Sequence, residues 1–270
     1  MGRNGSTMGV FLKFWRHRAL LRAFIGREIR SRYIGSGAGI FWALIHPLLL
    51  LGLYALIFST IFKVALPELG ERRFIEFVAV ALWPWLAFQE SVQRGLQAVV
   101  ANSALVKKVA FPPELLVYGA VMGTFIVHLI GYIVVLALLA ILGHGLHASG
   151  IFGALALLGL LLILSLSIAL PLAAMQTLAR DTDQFMAPVF IVLFYATQIL
   201  YPLTAVPEWL RNGMAWNPLL YFVQPIRDLL LTGHYSLDWQ TLMAWALVPV
   251  LFVAGYQFFR RLAPHFEDFL

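Results

Sequence analysis

The chain has 270 residues, of which 61% are hydrophobic and 12% charged, with a formal net charge of +6 and no cysteine. Soluble domains carry about 25% charged residues, so a core of this size cannot hide so much apolar surface, and lipid must be the solvent for much of the chain. The missing cysteines exclude a disulfide framework and thiolate metal sites, and the positive charge gathers at one end, where it bears on membrane orientation rather than on nucleic acid.

Met1 to Val10 has one Arg, no apolar run and no small-residue cleavage pattern, so no cleavable signal peptide is read there. Residues 1–37 are read as a cytoplasmic N-terminus carrying an amphipathic helix from Arg16 to Tyr33. Leu20, Leu21, Phe24 and Ile25 share one face of a 3.6-residue helix, while Arg22, Gly26, Arg27 and Arg30 fall largely on the other. A basic helix with a modest apolar stripe lies in the membrane interface instead of spanning it. Two readings stay open: an anchor held by anionic lipid headgroups, or a contact of Arg27, Arg30 and Arg32 with a phosphorylated lipid or a cytoplasmic partner. Gly35, Gly37 and Gly39 loosen the junction to the membrane domain, residues 38–270.

Six segments are long enough for a hydrocarbon core, which takes about 20 helical residues. They are Ala38–Phe62, Phe77–Val100, Leu115–Leu142, Ile151–Ala179, Phe185–Leu203 and Thr241–Phe259. The second is interrupted by Pro84, Gln89, Glu90 and Arg94. Glu90 and Arg94 sit four apart, the spacing at which helical side chains meet, and intramembrane charges face a bundle interior or water. They are read either as pathway residues or as a structural pair snorkelling to water. Thirteen Lys and Arg fall on the side of the N-terminus against five opposite, which puts both termini in the cytoplasm. His46, before Pro47, and His128 are read as a kink residue and a satisfied core histidine.

The connections carry their own signals. Asn102 to Glu114 holds a short helix-length piece, Lys107, Lys108, an exposed Phe111 and then Pro112–Pro113, which open the third span at no penalty because a first-turn N–H lacks a partner. It is either a positive-inside connector or a helix docking on a cytosolic motor. In the loop from Arg180 to Gln184, Asp181 or Asp183 suits a helix cap. The stretch from Leu203 to Gln240 is apolar yet broken by Pro207, Pro218 and Pro225, with Trp209, Trp216, Tyr221 and Phe222 between them. Irregular backbone at membrane depth survives only where protein buries it or it lines a cavity, so re-entrant half-helices capping a pathway are expected at 204–235.

Several strings together carry a family resemblance. REIRSRYIGSGAGIFWALIHPLLLLGLYALIFSTIF from Arg27, LWPWLAFQESVQRG from Leu82, LVKKVAFPPELL from Leu105, RDTDQF from Arg180, YPLTAVPEWLR from Tyr201, WNPLLYFVQPIR from Trp216 and the closing FRRLAPHFEDFL resemble, in order, the permeases of ABC-2 type polysaccharide exporters. The nearest group is the O-antigen (lipopolysaccharide) export transmembrane subunit, with capsule and teichoic-acid exporters beside it. The resemblance implies an all-α integral membrane fold of six transmembrane helices, an N-terminal amphipathic interface helix, and re-entrant gate helices between helices 5 and 6. It implies a bacterial inner-membrane homodimer that takes a polyprenyl-pyrophosphate-linked polysaccharide, with ATP and Mg handled by two copies of a partner nucleotide-binding subunit. This chain has no G-x-x-x-x-G-K-[ST] loop, so it is not the motor, and as a transport subunit it is expected to hold no cofactor or catalytic site of its own.

By the same resemblance Leu105, Val106, Lys107, Lys108, Val109 and Phe111 form the coupling helix to the ATPase. On their own chemistry Arg27, Arg30 and Arg32 are expected to take the lipid pyrophosphate, because a guanidinium matches two phosphate oxygens at once. Flat amphipathic rings grip sugar faces without one fixed hydrogen-bond register. Trp83, Trp85, Phe88, Tyr195 and Tyr201, with Gln198, Glu90 and Arg94, are therefore expected along a channel. Trp209, Trp216, Asn217 and Tyr221 are expected at the gate. Aromatic belts at membrane interfaces account for such rings equally well. A small-molecule ABC-2 exporter and an integral-membrane glycolipid-modifying transferase remain alternatives; the latter needs an acid/base or metal cluster at one face, and none is evident.

Overall fold

The computed structural model describes residues 17–32, 39–58, 70–143 and 145–270, apart from the side chains of Ile40 and of residues 70–73. All regular structure among them is helical. In chain order the helices are α1 (Arg18–Ser31), α2 (Trp42–Leu56), α3 (Gly70–Gln97), α4 (Ser103–Lys108), α5 (Glu114–Ile141), α6 (Ile151–Leu178), α7 (Thr182–Ala196), α8 (Glu208–Met214), α9 (Leu220–Thr232), α10 (Trp239–Leu262) and α11 (Phe266–Phe269).

The helix α6 is central, packed against α10, α3, α5 and α9, and α3 in turn packs on α5, α9 and α2. Two apolar cores result. One joins the middle of α3 to α5, α6, α7 and α9 through Trp83, Phe88, Leu161, Phe190 and Phe222. The other gathers Leu21 and Phe24 of α1 with Val117, Leu170, Phe259 and Phe266, at the end of the bundle nearer α4. Helix ends are closed locally: Asp238 Oδ1 accepts from Thr241 N at 2.8 Å to start α10, and Gly233, at φ +78°, ends α9 in the left-handed conformation that glycine adopts freely.

How α1 is held was not read from the sequence. Its apolar stripe rests on α5, over Gly119 and Gly123, four residues apart on one face. A Cβ at Gly119 would lie 2.6 Å from Phe24 Cβ, and one at Gly123 would lie 3.0 Å from Glu28 Cβ. Small residues at this spacing let helix backbones approach closely.

Among the described residues three helices are long and apolar enough to cross a membrane: Glu114–Ile141, the helical run Ala148–Leu178, and the run Trp239–Phe269. Trp42–Leu56 and Thr182–Ala196 are apolar but shorter, and α3 has the length, 28 residues, but carries Glu76, Glu90 and Arg94. The far end of the expected first span, up to Phe62, lies partly outside the described residues. The fifth helix stops at Ala196, short of the Leu203 expected, where Gln198 takes φ +56°. Pro84 does not interrupt α3, nor does Pro225 break α9: both lie inside continuous helix. Neighbouring helices re-satisfy the carbonyls that a buried proline frees.

Candidate functional site

Glu90 is the hub of a charge cluster built from three helices. Arg94, one turn along α3, places Nε 3.8 Å from Glu90 Oε1. The closer partners come from distant sequence: Arg32, just past α1, donates through Nη2 to Glu90 Oε1, and His128 Nε2 on α5 lies 2.6 Å from Oε2. Arg94 Nε also lies 3.9 Å from Glu28 Oε1 on α1. His128, read from sequence as a lone core histidine, is therefore a partner of the carboxylate. The Arg32 and His128 side chains are only 6% and 7% exposed, whereas Glu90 keeps 40%.

This cluster forms one side of a cleft of about 480 Å³ between α2, α3 and α5, which also contains Gln89 and His46. Trp42, Leu50, Leu86 and Val127 add apolar lining to the same cleft. Sequence reasoning grouped Arg27, Arg30 and Arg32 into one set, and the structure separates them. Five helical residues place Arg32 about 140° around from Arg27. Arg27 and Arg30 are exposed, with Arg27 Nη2 donating to Asn102 Oδ1 at 2.5 Å, while Arg32 turns inward onto Glu90.

A second polar cluster pins the broken segment at the opposite end. The break expected around Pro218 is present: α8 ends at Met214 and α9 begins at Leu220. Asn217 between them is buried, donating from Nδ2 to Thr197 Oγ1 at 2.9 Å and accepting from Leu219 N at 3.1 Å. Arg227 of α9 is buried and donates to the carbonyl of Gln198 at 2.8 Å, with Ile199 O at 3.4 Å. Its guanidinium stands 3.6 Å from the centroid of the Phe77 ring. A cation thus binds the carbonyls of the turn that follows α7. Tyr221 donates to Ala215 O at 2.8 Å and accepts at its own carbonyl from Trp245 Nε1. Trp209 and Trp216, in contrast, are 77% and 90% exposed.

The expected channel residues divide. Trp83, Trp85 and Phe88 are buried inside the subunit, on the part of α3 packed against α5, α6 and α9. Inside the subunit they brace the helices around α3. Gln198 is buried as well. Tyr195 is exposed and Tyr201 half-buried, with the Tyr201 hydroxyl donating to the Tyr195 carbonyl.

In the 102–114 segment α4 is a single short helix whose Lys107 and Lys108 are exposed. Leu105, Val106 and Phe111 pack partly on the second core, with the Phe111 ring 5.7 Å from that of Phe24. Phe111 is therefore not the exposed residue expected; Val109, 50% exposed, is. In the 180–184 loop neither aspartate caps α7 through its side chain. Asp183 instead accepts from Gln93 and, at 2.9 Å, from Gln97 of α3. No grouping of three His, Asp or Glu fit to hold a metal occurs among the described residues.

The family description that matches this chain, over residues 19–231, is that of the ABC-2 type transporter. The chain belongs to the ABC-2 type transporter family. The match begins in α1 and ends in α9, so it takes in both polar clusters. This ABC-2 chain is 25% identical over 251 residues to the O-antigen export system permease protein RfbA of Klebsiella pneumoniae, covering 93% of the chain and 95% of that protein. It is 28% identical over 246 residues to RfbA of Myxococcus xanthus, covering 88% and 90%. With the polysialic acid transport protein KpsM of Escherichia coli it shares 25% identity over 221 residues, covering 80% and 83%. As an ABC-2 family member it is a membrane subunit of a transporter.

Proposed function

We propose that this chain is the permease of an exporter that moves a lipid-linked polysaccharide of the O-antigen type across a bacterial inner membrane. The observation that carries this is the near end-to-end similarity to the O-antigen export permeases. In this reading two copies, each of six spans with both termini cytoplasmic, pair with two nucleotide-binding subunits that bind ATP and Mg. Support for six spans comes from the three long apolar helices, the two shorter ones and α3, in which Glu90 is paired with Arg32 and Arg94. The similarity to a polysialic acid transporter favours a capsule-type glycan as the second reading.

Deleting the gene tests this. Lipopolysaccharide at the cell surface is expected to lose its O-chain while the lipid-linked glycan accumulates inside, and the intact gene restores export. Loss of capsule alone would select the second reading, and unchanged surface glycans of both kinds would overturn the export reading.

The 102–114 segment is the coupling element in this scheme. Val109 is the apolar residue that it leaves open to a partner, beside two lysines. Val109→Asp is expected to reduce export in proteoliposomes by about tenfold, since an interface core rejects an unpaired charge. Thermal stability should change by no more than about 0.5 kcal/mol, as for other surface substitutions. Full export with Val109→Asp would place the docking contact elsewhere.

The 204–235 segment is the extracytoplasmic gate. Within it α9 is packed on α3 and α6, while Trp209 of α8 and Trp216 just past its end are exposed. The moving half of the gate is accordingly α8, hinged at Asn217–Pro218, where the residue before a proline avoids the helical region. Tyr195 and Tyr201, at the nearby end of α7, are the aromatics left to face a passing glycan.

A further inference from the structure

The Arg32–Glu90–His128 cluster has an uneven build. Its two donors are fixed, with side chains 6% and 7% exposed, and its carboxylate is the loose member at 40%. Among the described residues Glu90 is also the only carboxylate lining the cleft, where Arg32, Arg94 and His128 are its partners and His46 is a further lining residue. A carboxylate holding a guanidinium at the mouth of a cavity occupies the place that another anion would take. Phosphate groups fit that place better, because they carry more charge and accept two parallel guanidinium hydrogen bonds.

The cleft has the volume of a small-molecule site, which runs from about 300 to 1,000 Å³. Its lining also includes the apolar Trp42 and Leu50 of α2, and α2 with the preceding Phe41 carries further exposed apolar residues, Leu49 and Leu53. A molecule with a phosphorylated head and an apolar tail can seat its head among the cations and run its tail along α2.

We propose that Glu90 is a built-in stand-in for the ligand's anion: the phosphorylated headgroup of a tailed lipid enters the α2–α3–α5 cleft and takes Arg32 and His128 from Glu90, whose side chain swings out. The exchange loosens the bond between the end of α1 and α3, so a loaded cleft and a latched α1 exclude each other. The inference rests on the export reading for the identity of the ligand, and it assigns Glu90 as a positioning residue that competes with the ligand.

The test uses the permease–ATPase complex in nanodiscs, with farnesyl pyrophosphate, inorganic pyrophosphate and farnesol as probes. Wild type is expected to bind farnesyl pyrophosphate more tightly than either fragment. Glu90→Gln removes the competing charge and is expected to tighten farnesyl pyrophosphate binding about tenfold, the scale of one charge-assisted hydrogen bond, leaving farnesol unchanged. Arg32→Lys is expected to weaken it. Loss of the probe to phosphatidylglycerol vesicles would assign an ordinary bilayer headgroup as the source, and its retention would assign a pyrophosphate-linked carrier. Equal or weaker binding by Glu90→Gln overturns the proposal. If Glu90→Gln fails to fold, Glu90→Asp, which keeps the charge but shortens the reach, decides. Tighter binding by Glu90→Asp supports exchange, and a melting temperature lowered without tighter binding makes Glu90 a structural brace only. Intact surface export beside such a result would sink this inference while leaving the export reading in place.

Discussion

Gly119→Ile is expected to unseat α1 and lower stability by about 3 kcal/mol, at the upper end of what overpacking a well-filled contact costs. The added branch has nowhere to go. Even a Cβ at Gly119 would stand 2.6 Å from Phe24 Cβ and 3.3 Å from the Phe24 carbonyl carbon, so backbone as well as side chain would have to retreat. Gly123 gives no relief one turn further on, since Glu28 is already close to it. The retreat would pull Leu21 and Phe24 out of their core and carry Arg32 away from Glu90. Thermal unfolding in detergent, with hydrogen exchange over residues 18–31, measures it. Exchange in α1 should rise while the core of α6 stays protected. Unaltered melting and unaltered α1 protection would show that α1 is held by something other than this seat.

Arg227→Met is expected to lower stability by about 3 kcal/mol, the scale for breaking a buried charge-assisted hydrogen-bond set. The flexible thioether fills much of the space but cannot donate. The carbonyls of Gln198 and Ile199 would then be left without the guanidinium that caps them, and the contact over Phe77 would go. Gln198, at φ +56°, holds a conformation that a non-glycine residue adopts only when its surroundings over-determine it. Arg227 is part of those surroundings. If α9 is the fixed frame of the gate, Arg227→Met should also make proteoliposomes leak ions at rest, because the seal loses its support. Arg227→Lys keeps one donor and should fall between the two. A stable, tight Arg227→Met protein would place the frame of the gate elsewhere.

Much was legible in local pattern. The amphipathic run of Leu20, Leu21, Phe24 and Ile25 is a helix from Arg18 to Ser31. The long apolar runs became α5, α6 and α10, because backbone groups away from water must satisfy themselves within one segment. The break at Asn217–Pro218 separates α8 from α9 as expected. The strings that carried the family resemblance likewise needed no coordinates, and the family match agrees with them. Prolines were less legible. Pro84 and Pro225 look like interruptions in a one-dimensional reading, but surrounding helices absorb them.

The chain's own chemistry, then, determined the membrane class, the helical segments, the absence of a phosphate-cradling loop and the family. These depend on composition and on spacings of a few residues, which a sequence displays directly. Tertiary structure alone decided which charges meet. Glu90 lies 58 residues from Arg32 and 38 from His128, and Arg227 lies 29 from Gln198, so no local period links them. It also decided that Trp83, Trp85 and Phe88 face a core and that Arg32 turns away from Arg27. Every side of an enclosed helix is buried whatever its residues are, and burial is set by the neighbours that other parts of the chain bring.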